Sequence, residues 1–311
     1  MTGLRALRAA KPPVDPWQPL GTFWEDERQP GGGIAPVLTV LLAGAECPFS
    51  CVFCDLWRHT LDGPTPRGAL SAQIEKALAA AGPLPTGAQI KLYNASNFFE
   101  ARAVPPEDDE AISALLAPFA QVVVECHPRL VGERAERFAA RLGASDTRLQ
   151  VAIGLETVHP QALPRLGKAM TLDDFAGAAA RLQAMGCGVR AFVLVGAPHV
   201  PADEAAEWAE RSAAWAFAHG VEHVSLIPMR GDTDAMRALA ARGDFTAPTP
   251  ATVEDAFDDC VALGAGVVTV DAWDVDRLLR CDGCREARRV RLLRMNLSGT
   301  VEPRVTCELC A

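Results

Sequence analysis

A chain of 311 residues is long enough to bury one large core and a small appendage, and its 49% hydrophobic and 22% charged content is ordinary for a globular protein. No apolar run approaches the roughly 18 residues of a membrane span, and no apolar signal segment follows Arg5, Arg8 and Lys11, so a folded cytoplasmic protein with no membrane association is expected. The net charge of −9 excludes a generally basic nucleic-acid-binding surface, yet from Arg277 onward eight arginines against four acids give the tail +4 and leave −13 on residues 1–276.

In chain order, a Pro-rich arm over residues 1–34 ends at Gly31, Gly32 and Gly33. Short β-branched runs then alternate with Ala-rich runs of helical period. Strands are predicted over 37–43, 89–93, 121–125, 149–154, 189–195 and 223–227, with a weaker one over 267–270. Helices are predicted between them over 71–81, 107–119, 132–142, 171–185, 202–218, 233–242 and 252–263. Thr171 with Asp173 and Asp174 supplies a helix start, while Gly186 and Gly220 fall where helix ends need positive φ. Regular βα alternation implies an α/β protein with a parallel sheet. Six or seven units rather than eight predict an open, partial (β/α)6-type barrel over 35–276, with chemistry at the carboxyl ends of the strands. Residues 277–311 form a separate four-cysteine tail.

Seven of the ten cysteines fall in tight groups, which suits metal or cluster ligation better than disulfides. Cys126, Cys187 and Cys260 stand alone among apolar neighbours and read as inert buried thiols. Cys47, Cys51 and Cys54 lie just after the first predicted strand, in a loop at the working end of the barrel. Thiolates are soft ligands for zinc or iron-sulfur clusters, and three of them would leave one iron of a 4Fe-4S cluster open to a ligand.

The Cys47-x3-Cys51-x2-Cys54 spacing, with Phe53 before the last cysteine, resembles the signature of radical S-adenosylmethionine (SAM) enzymes. The resemblance implies a 4Fe-4S cluster on Cys47, Cys51 and Cys54, with SAM chelated at the open iron and Phe53 packed near adenine. It also implies an electron donor such as flavodoxin or ferredoxin, and reductive cleavage of SAM to a 5′-deoxyadenosyl radical. The strand ends carry the other expected site residues. Asn94 and Ser96 stand where many members hold the SAM amino group with a GGE-like turn, a pattern from which this sequence departs. Glu125 should line the cavity, binding substrate or pairing with a barrel arginine such as Arg190. Glu156 matches a position that contacts the SAM ribose or amino acid moiety, with a structural salt bridge as its alternative. Gly196 resembles the segment whose backbone touches adenine, and Arg230 could meet an anionic substrate. The six histidines form no metal-ligand pattern.

Segments 91–99, 122–128, 153–157, 170–175 and 225–228 further resemble the archaeosine-biosynthesis radical SAM lyases and their bacterial relatives, over about residues 35–265. That implies a lyase acting on a base in transfer RNA. In the tail, Cys281-x2-Cys284 and Cys307-x2-Cys310, 22 residues apart, imply zinc or a second Fe-S cluster. Arg285, Arg288, Arg289, Arg291 and Arg294 between them could contact phosphates of an RNA substrate. Three functions are expected to compete: a radical SAM enzyme modifying an RNA base or nucleoside, one acting on a small metabolite or peptide, and a non-enzymatic zinc-binding protein.

Overall fold

The computed structural model describes residues 11–309, which leaves Cys310 of the predicted tail site outside the described residues. Eight strands form one sheet in sequence order: β1 (Gly21–Arg28), β2 (Ile34–Leu41), β3 (Gln89–Tyr93), β4 (Gln121–Cys126), β5 (Arg148–Glu156), β6 (Gly188–Val195), β7 (His223–Pro228) and β8 (Val267–Val270). From β2 to β8 every neighbouring pair is parallel, as the βα alternation requires. The helices are α1 (Ala69–Ala81), α2 (Asp109–Leu116), α3 (Glu133–Gly143), α4 (Leu172–Ala184), α5 (Ala205–Ala218), α6 (Asp234–Ala241), α7 (Pro250–Ala262), α8 (Val275–Leu278) and α9 (Arg285–Ser298).

Local chemistry fixes several boundaries. Thr171 and Asp174 form a reciprocal capping box at the start of α4. Thr249 caps α7, whose first residue is Pro250. Gly186 and Gly220 take φ of +74° and +78° after α4 and α5, conformations open to glycine at little cost. The outward strand residues Leu38, Val40, Ile90, Leu92, Val122, Val124, Val151 and Ile153 are buried beneath the helices in one continuous core.

Two elements escape sequence patterning. The first is β1, inside the segment read as an arm; it pairs antiparallel with β2. Its charged residues Glu25 and Glu27 turn into the barrel, where Glu27 bridges Lys91 of β3 and Arg190 of β6. Arg190 also donates from Nε to Gln150 at 3.0 Å. A contact from the first strand to the sixth is possible because the sheet curls. The second is α9, read only as an arginine-rich tail; it packs against both β1 and β8. Among the described residues no ladder joins β1 to β8, so the barrel is open along that seam. No helix among the described residues is long and apolar enough to cross a membrane.

Candidate functional site

The segment Cys47–Cys54 leaves the carboxyl end of β2 and is clamped from three sides. Val52 N donates to Leu166 O at 2.9 Å, and Thr233 Oγ1 to Val52 O at 3.3 Å. Gly167, at φ +70°, lets the chain pass so closely that a Cβ there would lie 2.8 Å from Ser50 O. His127 stacks on Phe49 with ring centroids 3.7 Å apart. Burial, reinforced by Lys168, lowers the His127 pKa to about 4, so its ring is neutral near pH 7. Nδ1 accepts from Arg129 N at 3.2 Å, which leaves Nε2 to donate to Lys168 O at 2.9 Å.

The three thiols are half-buried. Burial raises the pKa of all three, that of Cys51 to about 12. Asn97 Nδ2 donates to Cys47 Sγ at 3.2 Å, its orientation fixed because Oδ1 accepts from His127 N at 2.6 Å. Three thiols carried on one short loop are soft donors of the kind a 4Fe-4S cluster takes, so the chemistry of the donor set fits a cluster.

Above the loop, Glu125 accepts from Asn94 N at 2.8 Å, and burial moves its pKa up to about 7 against the opposing pull of the amides of Asn94, Ala95 and Ser96. The alternative of a Glu125–Arg190 pair is not realised, because Arg190 is already saturated by Glu27 and Gln150. Glu125 instead shapes the 94–96 turn, with Ala95 at φ +55°. Within that turn Asn94 Oδ1 accepts from Ser96 N at 3.2 Å, while Asn94 Nδ2 and Ser96 Oγ are buried with no hydrogen-bond partner among the described residues. Buried polar atoms left this way are costly unless a ligand meets them.

At the end of β5 the register slips between Gly154 and Glu156, and Glu156 adopts φ +67°. The strained turn aims its carboxylate at Lys168, 2.6 Å away. Lys168 also lies near enough to Cys51 and Cys47 to favour their thiolates. Gly154 makes room for the pair: a Cβ there would lie 2.2 Å from Glu156 Oε1 and 2.4 Å from Lys168 Nζ. Glu156 thus forms a salt bridge with Lys168 beside the cysteine loop.

Gly196 has φ +77° and abuts Pro248, so both backbone and packing require glycine there. Phe53 is half-buried against the core. Arg230 is held by Asp271 at 3.3 Å and Asp274 at 2.7 Å, so its charge is largely met inside the protein. Inside the mouth, Trp273 lies edge-on to Phe23 at 5.3 Å, and Tyr93 lies 6.1 Å from Trp273 and 6.3 Å from Phe192. Asn97, His127, Lys168 and this aromatic group were not singled out from the sequence as site residues. They come from separate elements, and only the curl of the sheet assembles them.

In the tail, Cys281, Cys284 and Cys307 gather their sulfurs within 4.8 Å. Two of the five arginines expected to face phosphates turn inward instead. Arg291 donates to both oxygens of Asp258 at 2.7 and 2.9 Å, and Arg288 bridges Glu254. Arg294 remains exposed, Arg285 is exposed but pairs with Asp282 at 3.3 Å, and Arg289 pairs with Glu286 at 2.9 Å. The acids of α7 draw the inward pair down.

No protein-family model matches the chain, and no curated protein is similar to it. Solved structures are. An archaeal Elp3 from Methanocaldococcus infernus matches 65% of this chain and 51% of its own at 16% identity, with a TM-score of 0.50. Methylornithine synthase (PylB) matches over 82% and 67% at 11% identity, TM-score 0.51. Streptococcus suis SuiB matches over 73% and 47% at 11% identity, TM-score 0.51. The chain thus spans about half the length of the Elp3 and SuiB structures. Elp3 and PylB are radical SAM enzymes, and the curled sheet of this chain has the radical SAM fold. At these identities the likeness defines the architecture.

Proposed function

We propose that the protein is a radical SAM enzyme that carries a 4Fe-4S cluster on Cys47, Cys51 and Cys54 and modifies an RNA base or nucleoside. The observation that carries this reading is a CxxxCxxC loop at the carboxyl end of β2 in a radical SAM fold. When bound, cluster and SAM supply reductive cleavage to a 5′-deoxyadenosyl radical that abstracts hydrogen from the substrate. The protein's own groups hold and orient. Asn94 Nδ2 and Ser96 Oγ offer unmet polar contacts to the amino acid end of SAM. Lys168, steered by Glu156, brings positive charge beside the loop, while Phe53 and the backbone at Gly196 flank the adenine. Asn97 and His127 keep Cys47 and the loop in place. This chemistry requires a reducing electron donor, such as flavodoxin or ferredoxin.

The aromatic mouth of Tyr93, Phe192 and Trp273 supports a planar substrate such as a nucleobase, and exposed Arg285 and Arg294 support phosphate contacts. The lyase class and transfer RNA as substrate rest on the sequence resemblance. The inward pairing of Arg288 and Arg291 favours a second reading, a small metabolite or peptide substrate. Zinc is the ion that best suits the tail cysteines. Anaerobic reconstitution tests the class: a colourless protein that cleaves no SAM after reduction refutes it. RNA binding that is insensitive to salt, or turnover unchanged by Arg285→Ala with Arg294→Ala, removes the RNA reading and leaves the metabolite.

A further inference from the structure

Cys281 and Cys284 lie between two segments that both attach to the open seam of the barrel, and Cys307 returns to them from beyond the second. Upstream, Trp273 follows β8 and reaches back to β1, donating from Nε1 to Glu25 at 3.4 Å and meeting Phe23 edge-on. Downstream, α9 begins directly after Cys284 and crosses the gap. Leu292 and Met295 are buried in the core. Asn296 occupies the free edge of β8 as a strand would: its Oδ1 accepts from Val270 N at 2.8 Å and its Nδ2 donates to Val270 O at 3.0 Å. From the other edge, Arg28 of β1 donates to Ser298 O at 2.5 Å and to Leu297 O at 3.4 Å. The helix therefore replaces the missing β1–β8 ladder, and both edges are covered.

The start of this helix adjoins the cysteine group, with Cys284 as the residue just before it. Cys281 Sγ and Cys307 Sγ are 3.7 Å apart. Bonds of about 2.3 Å to one tetrahedral zinc place two thiolates about 3.8 Å apart, whereas a cube of irons spaces its thiolates more widely. The segments on either side of the cysteines have little regular structure besides α9, so a bound ion would supply much of their folding energy. We propose that a single zinc-class ion on Cys281, Cys284 and Cys307, with Cys310 offered by the sequence as fourth ligand, is a clasp. It pins α9 across the β1–β8 seam and so sets the mouth formed by Phe23, Glu25 and Trp273. Only the description of that mouth as a substrate entrance rests on the radical SAM reading.

The test uses the full chain purified anaerobically, with metal content and hydrogen exchange as readouts and no turnover required. About one zinc per chain is expected besides the iron of the loop. Removing it with a chelator, or by Cys284→Ser with Cys307→Ser, should speed exchange about ten-fold or more in β1, β8 and α9 while leaving β3 to β6 protected. Asn296→Ala should loosen β8 and α9 with zinc still bound, which separates seam closure from general misfolding. Exchange that changes only within residues 281–309 on zinc loss overturns the clasp. So does iron in place of zinc at the tail. A cluster loop that fails to take iron refutes the proposed function but leaves this result readable.

Discussion

Replacing Glu27 by Gln perturbs a buried group that ties the first strand to the sixth across the barrel. Glu27 is buried on β1 between Lys91 and Arg190. Burial alone would push its carboxyl up, but the two cations hold it well below the usual carboxylate range. In the Gln variant Arg190 keeps Gln150 at 3.0 Å but loses its carboxylate partner's charge, and Lys91 keeps Glu25 at 3.0 Å. Breaking a buried pair from one side costs about 3 to 5 kcal/mol, because the remaining charge stays desolvated and unmatched. With an unfolding entropy near 2.1 cal/mol/K per residue, that lowers Tm by about 5 to 8 °C in a chain of 311 residues. The pH dependence has a definite sign. A depressed pKa contributes stability that is full above the unfolded value of 4.5 and is lost as pH falls through the folded value. Thermal melts of the wild type and Glu27→Gln should therefore differ at pH 7 and converge in acid. Glu27→Met with Arg190→Met should recover part of the loss by replacing charge with apolar packing. A Glu27→Gln protein that melts within about 1 °C of wild type at pH 7 would refute the reasoning.

Gly154→Ala should force Glu156 and Lys168 apart, since a Cβ would lie within 2.4 Å of both charged ends; SAM affinity, measured by equilibrium dialysis on reconstituted protein, should fall about ten-fold or more with iron content unchanged. Cys51→Ser should abolish the brown colour and cut loop iron while the tail metal stays, as read by metal analysis. Glu125 has the opposite sign from Glu27: its pKa, raised from 4.5 to about 7, favours the protonated folded state. Stability should therefore fall by about 3 kcal/mol as pH rises from below 4.5 through 7, and denaturant melts of Glu125→Gln should lack that slope.

Elements that bury a repeating apolar face were legible in the sequence. β3 and β8 have the predicted bounds, and the parallel order follows from βα alternation alone. β1 was not legible, because its inward residues are charged and its meaning depends on Lys91 and Arg190, which lie far along the chain. The reading of α2 over 107–119 exceeded the observed helix because a 3-10 turn, Pro106–Asp108, takes the first residues and the chain turns after Leu116. α9 was masked by its arginines, whose inward partners Glu254 and Asp258 sit on α7 and carry no local signature.

The same division runs through the site. The three loop cysteines stand out in the sequence because one short segment carries all of them, and Asn94 and Ser96 because they follow a recognisable strand. Lys168 was not, although it matters as much to the charge beside the loop. It enters by way of a non-glycine residue at φ +67°, a bulge and a glycine with no room for a Cβ, and each is a property of the folded backbone. Local strain at Glu156 is tolerable only where the surroundings hold it, and here Lys168 and the empty volume at Gly154 do so together. An isolated carboxylate at the end of β5 would be a candidate ligand for SAM. Paired with Lys168, it instead fixes a cation beside two cysteines, so the charge next to the loop is set by a residue the sequence does not advertise.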